Sequence, residues 1–134
     1  MIVGLGTDLT EIRRIEQSIA RYGDRFLHRI FTTGEIAYCQ RKKSFGESFA
    51  ARFAAKEAGA KALGTGISYG VSWQEFEVRR EASGKPSLHL SGRAEELAKA
   101  LSIARISLSL THTQGMALAV VIMETHPRLA ESEA

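Results

Sequence analysis

Cysteine is almost missing from this chain: Cys39 is the single one among 134 residues. An intrachain disulfide is excluded, and so is a metal site built on a cysteine cluster. Cys39 itself reads as a small, partly buried hydrophobe. No apolar run approaches the ~20 residues that a membrane-spanning helix needs. The opening MIVGLGTDL has neither the basic start nor the long apolar stretch of a secretory signal, so it reads as a first strand and the expected location is cytoplasmic. Aromatics make up 7% of the chain and few of them interleave with its cationic stretches. That argues against a nucleic-acid-binding module, for which no zinc finger or RNA-recognition motif is present either. Repeats, linkers and low-complexity blocks are absent too.

What remains is an ordinary globular composition, 44% hydrophobic and 25% charged, in a length that suits one domain. Net charge is +3, which invites an acidic protein, a phosphorylated ligand or nucleic acid as partner. The distribution is more telling than the sum. Arg13, Arg14, Arg21, Arg25 and Arg29 gather early, Arg41, Lys42 and Lys43 form a second cluster, and acids such as Glu131 and Glu133 come late.

The stretch from Phe49 to Gly66, FAARFAAKEAGAKALGTG, is the centre of the chain. Its alanines favour a helix from about Gly46 to Leu63, and Gly64 and Gly66 stop it. Phe49, Phe53, Glu57 and Lys61 are spaced four apart and fall along one row. The simplest account of the two charges is a Glu57–Lys61 surface pair, with Lys56 and Lys61 near the negative helix end. The many alanines also leave room for something bulky to lie against the helix.

Upstream, Ile2, Gly4, Gly6 and Asp8 share one face of a strand, while Val3, Leu5, Thr7 and Leu9 share the other. Gly4 and Gly6 begin like a dinucleotide fingerprint, but Leu9 stands where its third glycine belongs. They serve instead to admit a neighbouring backbone or ligand. Asp8 and Glu11 have capping-box spacing for a helix from about Leu9 to Ala20, with an apolar stripe of Ile12, Ile15 and Ile19. Thr32 or Thr33 caps a later helix that carries Glu35, Tyr38 and Cys39. After Gly66 the period changes: an extended stretch from Val71 through Val78, a turn over residues 81–86, and a helix opened by Gly92. Ile106–Thr111 and Met116–Met123 then form a hairpin around Gln114-Gly115. The fold class is α+β, a single domain with a small, mostly antiparallel sheet packed on a long central helix. Residues 125–134 read as a tail.

Carboxylates without a histidine or cysteine cluster suit a hard cation such as Mg²⁺. Asp8 and Glu57 are the natural pair. Lys61, one turn from Glu57, is a point charge for a pyrophosphate, and unpaired N–H groups around Gly64, Thr65 and Gly66 would add phosphate contacts. His112, at a strand end, can reach a phosphate or a base. A serine hydrolase is disfavoured because no G-x-S-x-G occurs.

Several motifs stand in order along the chain: GTDL (6–9), F-x-x-x-E-x-x-Y-C (Phe31, Glu35, Tyr38, Cys39), RFAAKEA-x-x-K-A-L-G-T-G (52–66), GKP (84–86) and SLTHT (109–113). Together they resemble the holo-acyl-carrier-protein synthases, the short bacterial class of 4′-phosphopantetheinyl transferases, over residues 1–124. The resemblance implies that phosphopantetheine passes from coenzyme A to a serine of an apo carrier protein, releasing 3′,5′-ADP, in the service of fatty acid biosynthesis. It implies that Asp8 and Glu57 hold Mg²⁺, that Lys61 stabilises the leaving diphosphate and that Glu57, directly or through a metal-bound water, accepts the serine proton. It places Lys43, Arg52 and His112 at the 3′-phosphate and adenine and Gly64, Thr65 and Pro86 around the cleft, with Thr113 among the residues that bind coenzyme A. An acidic acyl carrier protein would dock on Arg13, Arg14, Arg21 and Arg25, with Phe26 and Ile30 as apolar contacts. The class forms homotrimers with sites between neighbours, so the Asp8–Glu57 side and the His112 side would come from different chains. The rival readings are a basic nucleic-acid-binding module and another coenzyme A enzyme, such as an acyltransferase working without magnesium.

Overall fold

A 19-residue helix, α4 (Phe45–Leu63), is the spine of the molecule; the structure, a computed structural model, describes residues 1–127. Before it come β1 (Ile2–Glu11), α1 (Ile12–Tyr22), α2 (Asp24–Ile30) and α3 (Thr33–Gln40). After it come a 3₁₀ turn (Trp73–Glu75), β2 (Phe76–Arg80), β3 (Pro86–Leu90), α5 (Gly92–Ala100), β4 (Ile103–Thr113) and β5 (Met116–Thr125). β5 lies between β1 and β4, antiparallel to both, and β2 pairs with β3 in a separate hairpin. The expected α+β fold is therefore present. The tail expected over 125–134 lies outside the described residues from 128 onward, and β5 continues to Thr125.

Alanine sets the packing distance. Ala54, Ala55, Ala58, Ala60 and Ala62 are all buried, so backbones pack against α4 without long side chains between them. On one side β1 approaches so closely that a methyl on Gly4 or Gly6 would run into the carbonyl oxygens of Ala62 and Ala58. On another side Gly59 meets Leu88 and Phe76 of the β2–β3 hairpin. The apolar core is thus split along the helix. Its C-terminal half packs with both sheets and α5, while its N-terminal half, with Phe49, packs against Ile12, Ile15, Leu27, Ile30, Phe31 and Cys39 of α1–α3.

Two local expectations give way to longer-range interactions. β1 does not turn into a helix at Leu9: Leu9, Thr10 and Glu11 stay in the ladder opposite Leu118, Ala117 and Met116. Backbone pairing there outcompetes the local cap that Asp8 and Glu11 offered. α1 begins at Ile12 with no side-chain cap at Glu11, and the Ile12 N–H donates instead to the Gly115 carbonyl of the β4–β5 turn (3.0 Å). Lys56, in turn, does more than lie near the negative end of the helix. It is fully buried and forms an ion pair with buried Glu35 (2.7 Å), donating also to the carbonyls of Phe76 (2.8 Å) and Trp73 (3.2 Å). Glu35 has a double duty. One of its oxygens completes a capping box with Thr32, one of the two caps the sequence offered, and the other accepts the Val78 N–H (2.7 Å). Burial pushes the Lys56 amine down from its ordinary value, and the Glu35 carboxylate opposes that push.

This pair ties α3, α4, the 3₁₀ turn and β2 together. Removing one partner leaves an uncompensated buried charge, which costs about 3–5 kcal/mol. Lys56→Met should lose stability of that size in urea unfolding, while Lys99→Met on exposed α5 stays within about 0.5 kcal/mol. A Lys56→Met loss as small as that of Lys99→Met would show that the pair is not an anchor.

Candidate active site

Because β1 lies against α4, Asp8 projects toward the helix from the same strand face as Gly4 and Gly6. Its Oδ2 accepts the Thr10 hydroxyl (2.6 Å) and its Oδ1 faces the Lys61 ammonium (3.2 Å), which also donates to the Thr7 carbonyl (3.0 Å). Lys61 is therefore held by β1 and not by Glu57, its partner in the simple surface-pair account. Glu57 bonds elsewhere: its Oε2 accepts the indole N–H of Trp73 (2.6 Å). Both carboxylates line one cavity of about 530 Å³. Arg14, Phe26, Arg29, Ile30, Phe53 and Trp73 line the same space.

The donor set fits a small hard cation. Each carboxylate keeps lone pairs beyond the hydrogen bonds just described, and Mg²⁺ is commonly held by one or two carboxylates with substrate phosphates and waters completing its shell. No group of three or more histidine, cysteine or acidic side chains with metal-ligating geometry occurs among the described residues. The arrangement matches such a substrate-completed site and does not match an all-protein metal cage.

A second cavity, of about 490 Å³, is cationic. Lys42, Lys43, Arg52, Arg80 and His112 line it, with Glu47 the one acid among the described residues and 3.9 Å from the His112 Nδ1. Arg52 is only 3% exposed, and its Nε has no hydrogen-bond partner among the described residues. A buried guanidinium left short of acceptors is the kind of group an anionic ligand satisfies. Beside it, the Tyr38 ring has Arg52 at 4.2 Å, Lys42 at 4.7 Å, and Arg41 and Arg80 at 5.9 Å. Burial alone would raise the Tyr38 phenol, but a hydrogen bond donated by the Lys42 ammonium and the charges of Arg80, Lys42 and Arg52 together hold it below its ordinary value.

The site residues expected from sequence thus fall into two groups. Asp8, Glu57, Arg14, Phe26 and Ile30 surround the first cavity, with Lys61 tied to Asp8, and Lys43, Arg52 and His112 surround the second. Among the described residues the cavities share no lining residue. Arg13, Arg21 and Arg25 are exposed on α1 and α2, away from either wall. Pro86 opens β3 opposite Arg80, and Thr113 is exposed at the end of β4. Gly64 caps α4 in the left-handed conformation, as expected. The free amides anticipated beside it are not free, because the N–H groups of Gly64, Thr65 and Gly66 all donate to the Ala60 carbonyl (3.1 Å each). Sequence reasoning missed Trp73, Arg29 and Arg80. Trp73 is the chain's one tryptophan, and Arg29 and Arg80 belong to basic runs whose individual members look alike.

An early-ionising phenol is the measurable mark of the cationic cavity. Below its depressed folded value, Tyr38 is neutral whether the chain is folded or unfolded. Its contribution to stability grows as pH rises from that value to 10.0, the ordinary phenol value, and is lost as pH falls back. Ultraviolet titration should show one tyrosine ionising early, a signal absent in Tyr38→Phe and weakened by salt. Inorganic phosphate in the cavity should push the signal back up. A titration identical in wild type and Tyr38→Phe would remove the cationic cluster from consideration.

Comparison with known proteins fits this geometry. The chain is 56% identical, over 124 residues, to a holo-acyl-carrier-protein synthase of Solibacter usitatus, covering 92% of this chain and 99% of the relative. The crystal structure of holo-acyl-carrier-protein synthase from Neisseria meningitidis superposes with a TM-score of 0.85 at 36% identity, covering 93% of this chain and all of that one. The Helicobacter pylori enzyme in complex with coenzyme A superposes with a TM-score of 0.80 at 33% identity, covering 90% and 99%. The sequence pattern of the 4′-phosphopantetheinyl transferase superfamily matches residues 4–121, and the chain belongs to that superfamily.

Proposed function

We propose that this chain transfers the 4′-phosphopantetheine group of coenzyme A to a serine of an apo acyl carrier protein, releasing 3′,5′-ADP. The observation that carries the reading is the pairing of an acidic cavity beside a lysine with a separate cationic cavity. A pyrophosphate with a distant 3′-phosphate needs both. Lys43, Arg52 and His112 hold the 3′-phosphate and adenine end, joined by Lys42 and Arg80, and the unpartnered Arg52 Nε supports that assignment. Asp8 and Glu57 hold Mg²⁺, which supplies charge neutralisation at the pyrophosphate when bound.

The rest of the chemistry belongs to side chains. The serine oxygen forms a bond to the phosphorus that carries pantetheine, the bond from that phosphorus to the bridging oxygen breaks, and 3′,5′-ADP departs with the bonding electrons. Glu57 takes the serine proton. Lys61, already beside Asp8, turns its ammonium to the 5′-phosphate of the departing 3′,5′-ADP, where negative charge accumulates. Gly64, Thr65, Pro86 and Thr113 shape the approach.

An acidic carrier protein fits the arginine face. Arg13, Arg21 and Arg25 steer it, and Arg14, Phe26 and Ile30 form a wall continuous with the cavity that holds Asp8 and Glu57, so a serine docked there is delivered to the carboxylates. The chain works as a homotrimer with sites between neighbours. Support comes from the sheet's outer face, where Leu5 (62% exposed) and Leu9 (61%) stand beside Ile122 and Leu118 with no cover from the described residues. Support comes as well from the separation of the two cavities, which a neighbouring subunit would bring together. Among the described residues no helix is long and apolar enough to cross a membrane. We place the reaction in the cytoplasm and in fatty acid biosynthesis.

Incubation with coenzyme A, Mg²⁺ and an apo carrier protein should raise the carrier's mass by one phosphopantetheine, and no product should form in chelator. Glu57→Gln and Asp8→Asn should abolish that product with the far-ultraviolet spectrum unchanged; full turnover by either would remove the ion assignment. Arg14→Glu should weaken carrier docking at least about ten-fold, because a close charge contact is reversed, while coenzyme A binding stays as in wild type. Equal losses in both would count against the arginine face.

A further inference from the structure

The single tryptophan has no part in the transfer described so far, yet it touches its central carboxylate. Trp73 Nε1 donates to Glu57 Oε2 at 2.6 Å. Its ring stacks on Phe53, the residue one turn before Glu57 on α4, with centroids 6.4 Å apart and planes 28° from parallel. The Arg29 guanidinium lies 5.7 Å from the same ring. Its backbone is fixed as firmly as its side chain. The Trp73 carbonyl accepts from buried Lys56, and neighbouring Gln74 donates to the carbonyl of Phe31 (3.1 Å).

We propose that Trp73 is a positioning residue for Glu57, tying one carboxylate oxygen so that the other is presented to the cavity shared with Asp8. This deepens the function proposed above and rests on Glu57 being an ion ligand. A glutamate on a helix surface samples several rotamers, and each must be given up when an ion binds. A charge-assisted hydrogen bond from a rigid ring removes that freedom in advance. The ring is rigid because the Lys56–Glu35 pair anchors the turn that carries it. The buried ion pair therefore reaches the site through Trp73, although neither Lys56 nor Glu35 lines the cavity. Outer partners of ion ligands typically contribute 10–100-fold to ion affinity.

The test uses the full chain in two variants: Trp73→Phe, and Trp73 replaced by benzothienylalanine, which keeps the bicyclic shape but puts sulfur where the N–H was. Mn²⁺ affinity is measured directly by calorimetry with coenzyme A present and carrier protein absent, beside thermal unfolding and steady-state kinetics. Both variants should bind Mn²⁺ at least about ten-fold more weakly. kcat should fall, KM for coenzyme A should be little changed, and the isosteric variant should unfold as wild type does. In the wild-type chain, Mg²⁺ should shift the emission of this lone tryptophan, and Glu57→Gln should abolish the shift. If Glu57→Gln loses the ion while both Trp73 variants bind it within about two-fold of wild type, the positioning role is wrong and the ion site stands. If Glu57→Gln binds the ion as wild type does, both fall together.

Discussion

The whole arrangement depends on how closely a strand can approach a helix. β1 runs against α4 at a distance that only hydrogen side chains permit, with Gly4 and Gly6 facing the carbonyls of Ala62 and Ala58. Interior packing at this density leaves no slack for one extra methyl. Two residues further along the same strand face stands Asp8. It meets Lys61 because the glycines before it have removed the spacing that ordinary side chains would impose. The same closeness redirects Lys61 from Glu57 to β1, which leaves the Glu57 carboxylate to Trp73 and the cavity.

A second constraint acts from inside. Lys56 and Glu35 form a buried pair whose remaining hydrogen-bonding capacity is taken by the carbonyls of Trp73 and Phe76 and by the N–H groups of Thr32 and Val78. A buried ion pair is tolerable only when its leftover donors and acceptors are satisfied in this way. The same set of partners fixes where the chain enters β2 and where the tryptophan must stand. Adjacent positions on one helix, Lys56 and Glu57, thus have opposite roles. One faces inward and holds the scaffold, and the other faces the cavity and remains open to a ligand.

Electrostatics divides the surface in a related way. The acidic residues of the first cavity are ringed by Arg14 and Arg29, whereas the second is almost wholly cationic and contains a guanidinium nitrogen without an acceptor among the described residues. These properties suit the two ends of one polyanionic molecule. In a single chain they open on different sides of α4.

Much was legible in the residues themselves. The alanine-rich helix, its glycine stop, a threonine cap at the start of α3 and the β4–β5 hairpin follow from propensity and period, which are local properties. The motifs that carry Asp8, Glu57 and Lys61 pointed to the acidic site. Other features needed the folded chain. Asp8 looked like the start of a helix because capping spacing is local, while the β5 partner that keeps it in a strand lies more than a hundred residues away in sequence. Lys56 read only as a charge near the negative end of the helix, and nothing within one turn of it reveals Glu35. The amides after α4 looked available until they folded back on Ala60. Short-range chemistry therefore determined which elements form and which residues carry charge. Tertiary packing decided which of those charges meet, because a partner's distance in space is unrelated to its distance along the chain.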